Sequence, residues 1–188
     1  MFEGSGQAHS GAGGVIPDPV ETRFPDLPTN AFFACGHYEG VPRVLDLMDS
    51  RGAKLSSFIV GSAVEASPDL APEIARRGRA ADAHGRMCEN SFQLPTDEEM
   101  RFIADSVETI RRVTGQKPIG WNAYWMRSTI HVLETLQQLG FLSQVDERGR
   151  DEPFAVPVRG RDFMNVPYTF QVNDIVSFPF EGRNAAAY

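Results

Sequence analysis

Apolar residues along this chain alternate between helical and strand-like spacing. Val41, Val44, Leu45 and Met48 fall on one face of a helix over Val41 to Ser50, with Pro42 in its first turn and Gly52 as a stop. Lys54 to Val60 then reads as a buried strand through Leu55, Phe58, Ile59 and Val60, ended by Gly61. Ser67-Pro68 starts a second helix that stops at Gly78, its first turns disturbed by Pro72. Ala80 to Ala83 is a short strand candidate, although alanine is not a strand former.

The strongest helix signal follows. Thr96 and Glu99 have capping-box spacing, and Asp97 and Glu98 suit the positive end of a helix dipole. Met100, Ile103, Val107 and Ile110 recur every three or four residues, Gly115 ends the run, and Pro118 lies just beyond. Pro118 to Trp121 is extended. Ser128 caps a helix carrying Ile130, Leu133 and Leu136, which ends at Gly140. Phe141 to Val145, Phe154 to Val158 and Phe163 to Tyr168 are further strand candidates. This alternation predicts an α/β fold of parallel βα units, either an open doubly wound sheet or a barrel. Met1 to Asn30, rich in glycine and proline, reads as a loop or extension, and residues 31–188 as the domain.

Composition narrows the function classes. A chain of 188 residues with 41% hydrophobic residues can build one core. The net charge of -7 argues against a nucleic-acid partner, because neutralising phosphates needs a basic surface. No apolar run approaches a membrane span, and no secretory leader is visible. Cys35 and Cys88, too few for a disulfide framework, suit a reducing compartment and a cytoplasmic location.

In βα folds, chemistry gathers at the C-terminal ends of strands. Those ends are Gly61-Ser62, His84-Gly85-Arg86, Trp121-Asn122, Asp146-Glu147 and Tyr168-Thr169, with Asn173-Asp174 beyond. A histidine can exchange protons near neutral pH, a carboxylate can orient it or activate water, and an amide can stabilise an oxyanion. Together these residue types suit hydrolysis. Each also has a structural reading: His84 as a hydrogen-bonded core residue, Trp121 and Trp125 as packing, Asp146 to Glu152 as a solvated loop, and Asn173-Asp174 as an Asx-turn.

Several segments in collinear order resemble the polysaccharide deacetylase (NodB-homology) family. They are Gly40 to Asp49, Lys54 to Gly61, Ser67 to Leu70, the His84-Gly85 turn, Thr114 to Trp121 and Leu133 to Phe141. Asp151 to Phe154 and Val166 to Tyr168 with Asn173-Asp174 resemble its allantoinase-like branch, which includes cyclic-imide hydrolases and peptidoglycan deacetylase-like proteins. The resemblance implies a distorted (β/α) barrel and hydrolysis of non-peptide carbon–nitrogen bonds, with a small-molecule amide or N-acetyl sugar as substrate.

Position by position, His84 matches the histidine of the family's second motif, with Cys88 where a second histidine usually stands and Arg79 where the family commonly has a histidine. Asn122 and Arg127 lie in the third-motif region, and Asp146 and Asp151 in the acidic fourth motif. The resemblance thus implies His84, Asp146 and Asp151 as catalytic residues, with Asp146 or Asp151 orienting the histidine. It implies Trp121, Asn122, Arg127, Asn173 and Asp174 as substrate-binding residues. Neither the first motif's aspartates nor the last motif's Leu-His pair has a counterpart here, so no metal ligand set is assigned. Zinc held by His84 and Cys88 is the alternative. The expectation is a partial barrel lacking its first and last strands, with raw strand edges covered in a homo-oligomer. A truncated or degenerate non-catalytic homologue is the alternative to an enzyme.

Overall fold

The computed structural model describes Phe24, residues 27–169, Asn173 and Gly182. Most of the glycine-rich start lies outside the described residues. Helix α1 (Leu27–Cys35), a wider π-type turn (Gly36–Gly40) and α2 (Val41–Ser50) follow one another without a break in helical backbone. Leu27 to Asn30 is therefore helical, not loop: Pro28 occupies the first turn, where its missing N–H costs nothing.

The chain continues as β1 (Ser56–Ile59), α3 (Gly61–Ala66), α4 (Leu70–Arg76), β2 (Ala80–Ala83) and α5 (Thr96–Thr114). Then come β3 (Gly120–Trp121), a 3-10 turn (Tyr124–Met126), α6 (Val132–Leu139), β4 (Ser143–Gln144), β5 (Phe154–Val158) and β6 (Arg161–Asn165). The sheet order is β1-β2-β3-β4-β6-β5. All neighbours pair in parallel except β5 and β6, which form an antiparallel hairpin. Among the described residues the sheet is open, with β1 and β5 at its edges. This is the predicted α/β architecture.

Helices α3 and α4 both pack against α5, and α4 and α5 lie on β2. The core gathers Leu45, Ile59, Val60, Val64, Ile74, Ile103, Ile110, Trp121, Leu136 and Phe163. Strand β2 forms despite its three alanines because it is central, paired on both sides, and its small residues let the helices approach closely. Of the stripe expected on α2, only Leu45 is buried, and Val44 is exposed. Gly115 and Gly140 end α5 and α6 in the left-handed region, as their positions predict.

Three local expectations are corrected. Helix α3 is additional: the N–H groups of Gly61 and Ser62 in its first turn donate to the carbonyls of Gly85 and Arg86, so the His-Gly turn caps it. Helix α6 begins at Val132 rather than at Ser128, and Ile130 is 93% exposed, because the Ser128 hydroxyl goes to Asp146 instead of capping. The Thr96–Glu99 capping box is absent. Pro95 is the N-cap and its carbonyl accepts from the N–H groups of Glu98 and Glu99. With Pro95 as the N-cap, Thr96 becomes the first helical residue, and the Glu99 carboxyl turns inward to accept the Thr129 hydroxyl instead of returning to the Thr96 N–H.

Candidate active site

The parallel ladder continues past the formal strand ends. The N–H of His84 donates to Ile59, that of Asn122 to Ala83, and that of Val145 to Trp121. His84, Asn122 and Asp146 are thereby held at the C-terminal ends of β2, β3 and β4, where the alternation placed them.

The turn after β2 depends on Gly85. Its φ is +84°, and a Cβ there would come within 2.7 Å of the Phe102 ring on α5. The ring of His84, the residue before this glycine, is 2% exposed. The Nδ1–H of His84 donates to the carbonyl of Asn122 at 2.7 Å. That bond selects the neutral tautomer in which Nε2 carries the lone pair. Burial lowers the pKa of His84 to about 4, against the bond to Asn122, which raises it.

Asn122 works from both ends. Its backbone carbonyl holds His84, and its side-chain Nδ2 donates to Asp146 at 2.8 Å. Asp146 also accepts from the N–H of Ala123 at 2.9 Å and from the hydroxyl of Ser128 at 3.2 Å. Burial nevertheless raises its carboxyl to about 6, opposed by those three donors. Asp146 clamps the two ends of the turn over Ala123 to Ser128. Within that turn Trp125 and Met126 both have φ of +54°, an uncommon conformation for residues with a Cβ.

The expected site residues therefore separate. His84, Asn122 and Asp146 form one chain of hydrogen bonds. His84 is oriented by a backbone carbonyl, not directly by Asp146 or Asp151. Asp151 is exposed in the connection before β5. Trp121 is 1% exposed and packs edge-to-face on Phe141, so it is a core residue and not a substrate platform. Arg127 is exposed, with its guanidinium 6.0 Å from the Phe92 ring centre. Asn173 donates to the Tyr168 hydroxyl at 3.0 Å, and Asp174 lies outside the described residues.

A metal fits poorly among the described residues. His84 has spent Nδ1 on Asn122, Cys88 is fully buried in the apolar core, and Arg79 pairs with Asp49. No group of three or more His, Cys, Asp or Glu side chains among the described residues is placed to hold an ion. Two surface cavities of about 390 and 420 Å³ lie beside the π-type turn and α2, and neither is lined by His84, Asn122 or Asp146.

Three polar residues have partners that sequence spacing does not reveal. Asp82 is buried in β2 and accepts from the N–H groups of Ile119 and Gly120, stapling β2 to β3. A Cβ on Gly120 would meet that carboxylate at 2.7 Å. The signal was a lone acid within an alanine run. Ser128 and Glu99 have the spacing of helix caps but bond to Asp146 and Thr129, partners on other elements that local spacing cannot reveal.

The model of the polysaccharide deacetylase family matches residues 24–142. A peptidoglycan deacetylase of Helicobacter pylori is 27% identical over 136 residues, spanning 72% of this chain and 46% of that protein. The solved structure of a polysaccharide deacetylase from Mycobacterium smegmatis is 25% identical with a TM-score of 0.75, over 78% of this chain and 51% of that one. An allantoinase structure shares the fold with a TM-score of 0.78 at 22% identity, over 96% of this chain and 58% of its own. The chain spans about half the length of the first two. No helix among the described residues is long and apolar enough to cross a membrane. With the family model covering well over half of the sequence, and the same sheet found in the solved relatives, the chain belongs to the polysaccharide deacetylase family.

Proposed function

We propose that this chain carries the histidine side of a site that hydrolyses a non-peptide carbon–nitrogen bond, in a small cyclic amide or imide or an N-acetyl sugar. The observation that carries the reading is the chain His84–Asn122–Asp146 across three strand ends, with the imidazole held neutral. In that tautomer Nε2 of His84 accepts a proton from water as the water oxygen attacks the carbonyl carbon. The carbon–nitrogen bond then breaks, and the same proton passes from Nε2 to the leaving nitrogen. Asp146 and Asn122 keep the ring in place and do not touch the reacting atoms. Arg127 and the Asn173-Asp174 pair belong to the substrate side of this proposal, and Asp151 to its rim.

A non-catalytic homologue is the second reading. It is favoured by the burial of Cys88 where the family has a histidine, and by the poor fit of a metal. Under either reading β1 and β5, which are edges among the described residues, favour self-association, and two cysteines without a disulfide favour a reducing, cytoplasmic setting. The test is a turnover screen of the purified chain and its His84→Ala variant on allantoin, cyclic imides and N-acetylated sugars. Hydrolysis by the native chain that is lost in the variant supports the enzyme. Absence of turnover on the whole panel, or equal rates for both proteins, overturns it in favour of the second reading.

A further inference from the structure

The carboxyl of Glu99 is 0% exposed, the most costly place for an ionisable group with no obvious salt-bridge partner. It sits in the first turn of α5, where solvent would be available had it pointed outward, as Asp97 and Glu98 do. Its Oε2 accepts the hydroxyl of Thr129 at 2.7 Å, and the carboxyl also accepts the backbone N–H of Thr129. Thr129 in turn accepts the N–H of His131 at 3.2 Å, which closes the turn into α6. The other oxygen, Oε1, is buried and has no hydrogen-bond partner. Packing alone would favour an apolar residue here, because an unsatisfied buried oxygen is destabilising.

What Glu99 holds is the exit of the segment whose entrance forms the candidate site. Asn122 and Ala123 begin that segment on Asp146, Ser128 returns to Asp146, and Thr129 passes to Glu99. Between them Trp125 and Met126 sit at positive φ. Such backbone persists only where the surroundings over-determine it. Asp146 supplies one anchor, yet it is itself a member of the site and half-buried. Glu99 supplies an anchor from a different layer, the long helix α5 whose Ile103 and Ile110 lie in the core.

We propose that Glu99 is a positioning residue of the candidate site: through Thr129 it fixes the strained turn over Ala123 to Ser128, and so keeps the Asn122 carbonyl on His84. The function of this device rests on the hydrolase reading, but its geometry does not. Its direct signature is the Nδ1–H proton of His84, which resonates far downfield in an NMR spectrum while it is buried and bonded to a carbonyl. Glu99→Ala and Thr129→Val are expected to broaden or abolish that resonance and to speed amide exchange at Ala123 about tenfold or more. Glu99→Gln, which keeps an uncharged acceptor for Thr129, is expected to retain both signals. Ile110→Val removes one methyl from the same helix and serves as a control for general loosening, and it too should leave them in place.

Thr129→Val keeps the proposal testable if Glu99→Ala does not fold. Retention of the resonance and of slow exchange in Thr129→Val, or their equal loss in Ile110→Val, would overturn it. If the signals respond as expected while no substrate turns over, the anchor stands and the hydrolase reading alone fails.

Discussion

The ring of His84 and the backbone of Asn122 are joined by a bond of 2.7 Å between Nδ1 and the carbonyl oxygen. A backbone acceptor cannot take up the proton, so the bond fixes the ring without creating an ion pair. It leaves Nε2 as the group available for chemistry. The partner is also out of reach of side-chain substitution, which makes the consequences separable by mutation.

Asn122→Ala deletes the amide bond to Asp146 while leaving the carbonyl that holds His84. It leaves the half-buried carboxyl of Asp146 short of one donor. The expected loss is about 1–3 kcal/mol of stability, read by urea denaturation, with the His84 Nδ1–H resonance retained. A neutral effect on stability would show that the amide is not a working member of the chain.

The two titrating groups act on stability with opposite signs. The pKa of His84 falls from 6.5 unfolded to about 4 folded, so its contribution is present above 6.5 and is lost as pH falls from there through 4. That of Asp146 rises from 3.8 to about 6, so the fold is penalised above 6 and regains stability as pH falls from 6 toward 3.8. Each effect is on the order of 3 kcal/mol at full extent, and over pH 6 to 4 they oppose each other. His84→Gln removes one of them. Relative to the native chain, its stability should therefore gain as pH falls from 6 to 4, as chemical denaturation at stepped pH will measure. Parallel profiles for the two proteins would contradict these shifts.

Gly85→Ala meets both a positive φ and the Phe102 ring at 2.7 Å. It should cost about 2–4 kcal/mol, more than a glycine-to-alanine change at an open left-handed position such as Gly115. Adding Phe102→Ala should recover the steric part but not the backbone part, which a double-mutant cycle separates. Strict additivity would mean that the ring does not hold the turn.

Much of this was legible in the sequence, for identifiable reasons. β5 forms over Phe154 to Val158 and α2 over Val41 to Ser50 as predicted, because hydrophobic spacing and turn residues act locally there. The convergence of His84, Asn122 and Asp146 was legible because parallel strands carry their C-terminal residues to one rim. The partners were not. Thr96 and Glu99 have the spacing of a capping box, but Pro95 takes the N-cap position and a threonine thirty positions away captures the acid. Trp121 ends a strand, yet it faces the core, one step of the strand's two-residue period away from Asn122, the residue that bonds Asp146.

The central claim is that neutral His84 supplies the base for carbon–nitrogen bond hydrolysis. It is tested most directly by the pH dependence of kcat/KM on whichever screened amide turns over, for the native chain and for His84→Ala. The account predicts a rate that falls on the acid side with an apparent pKa of about 4, and a loss of about a hundredfold or more in the variant. A variant that keeps the native rate, or a native profile without that acidic limb, would contradict it.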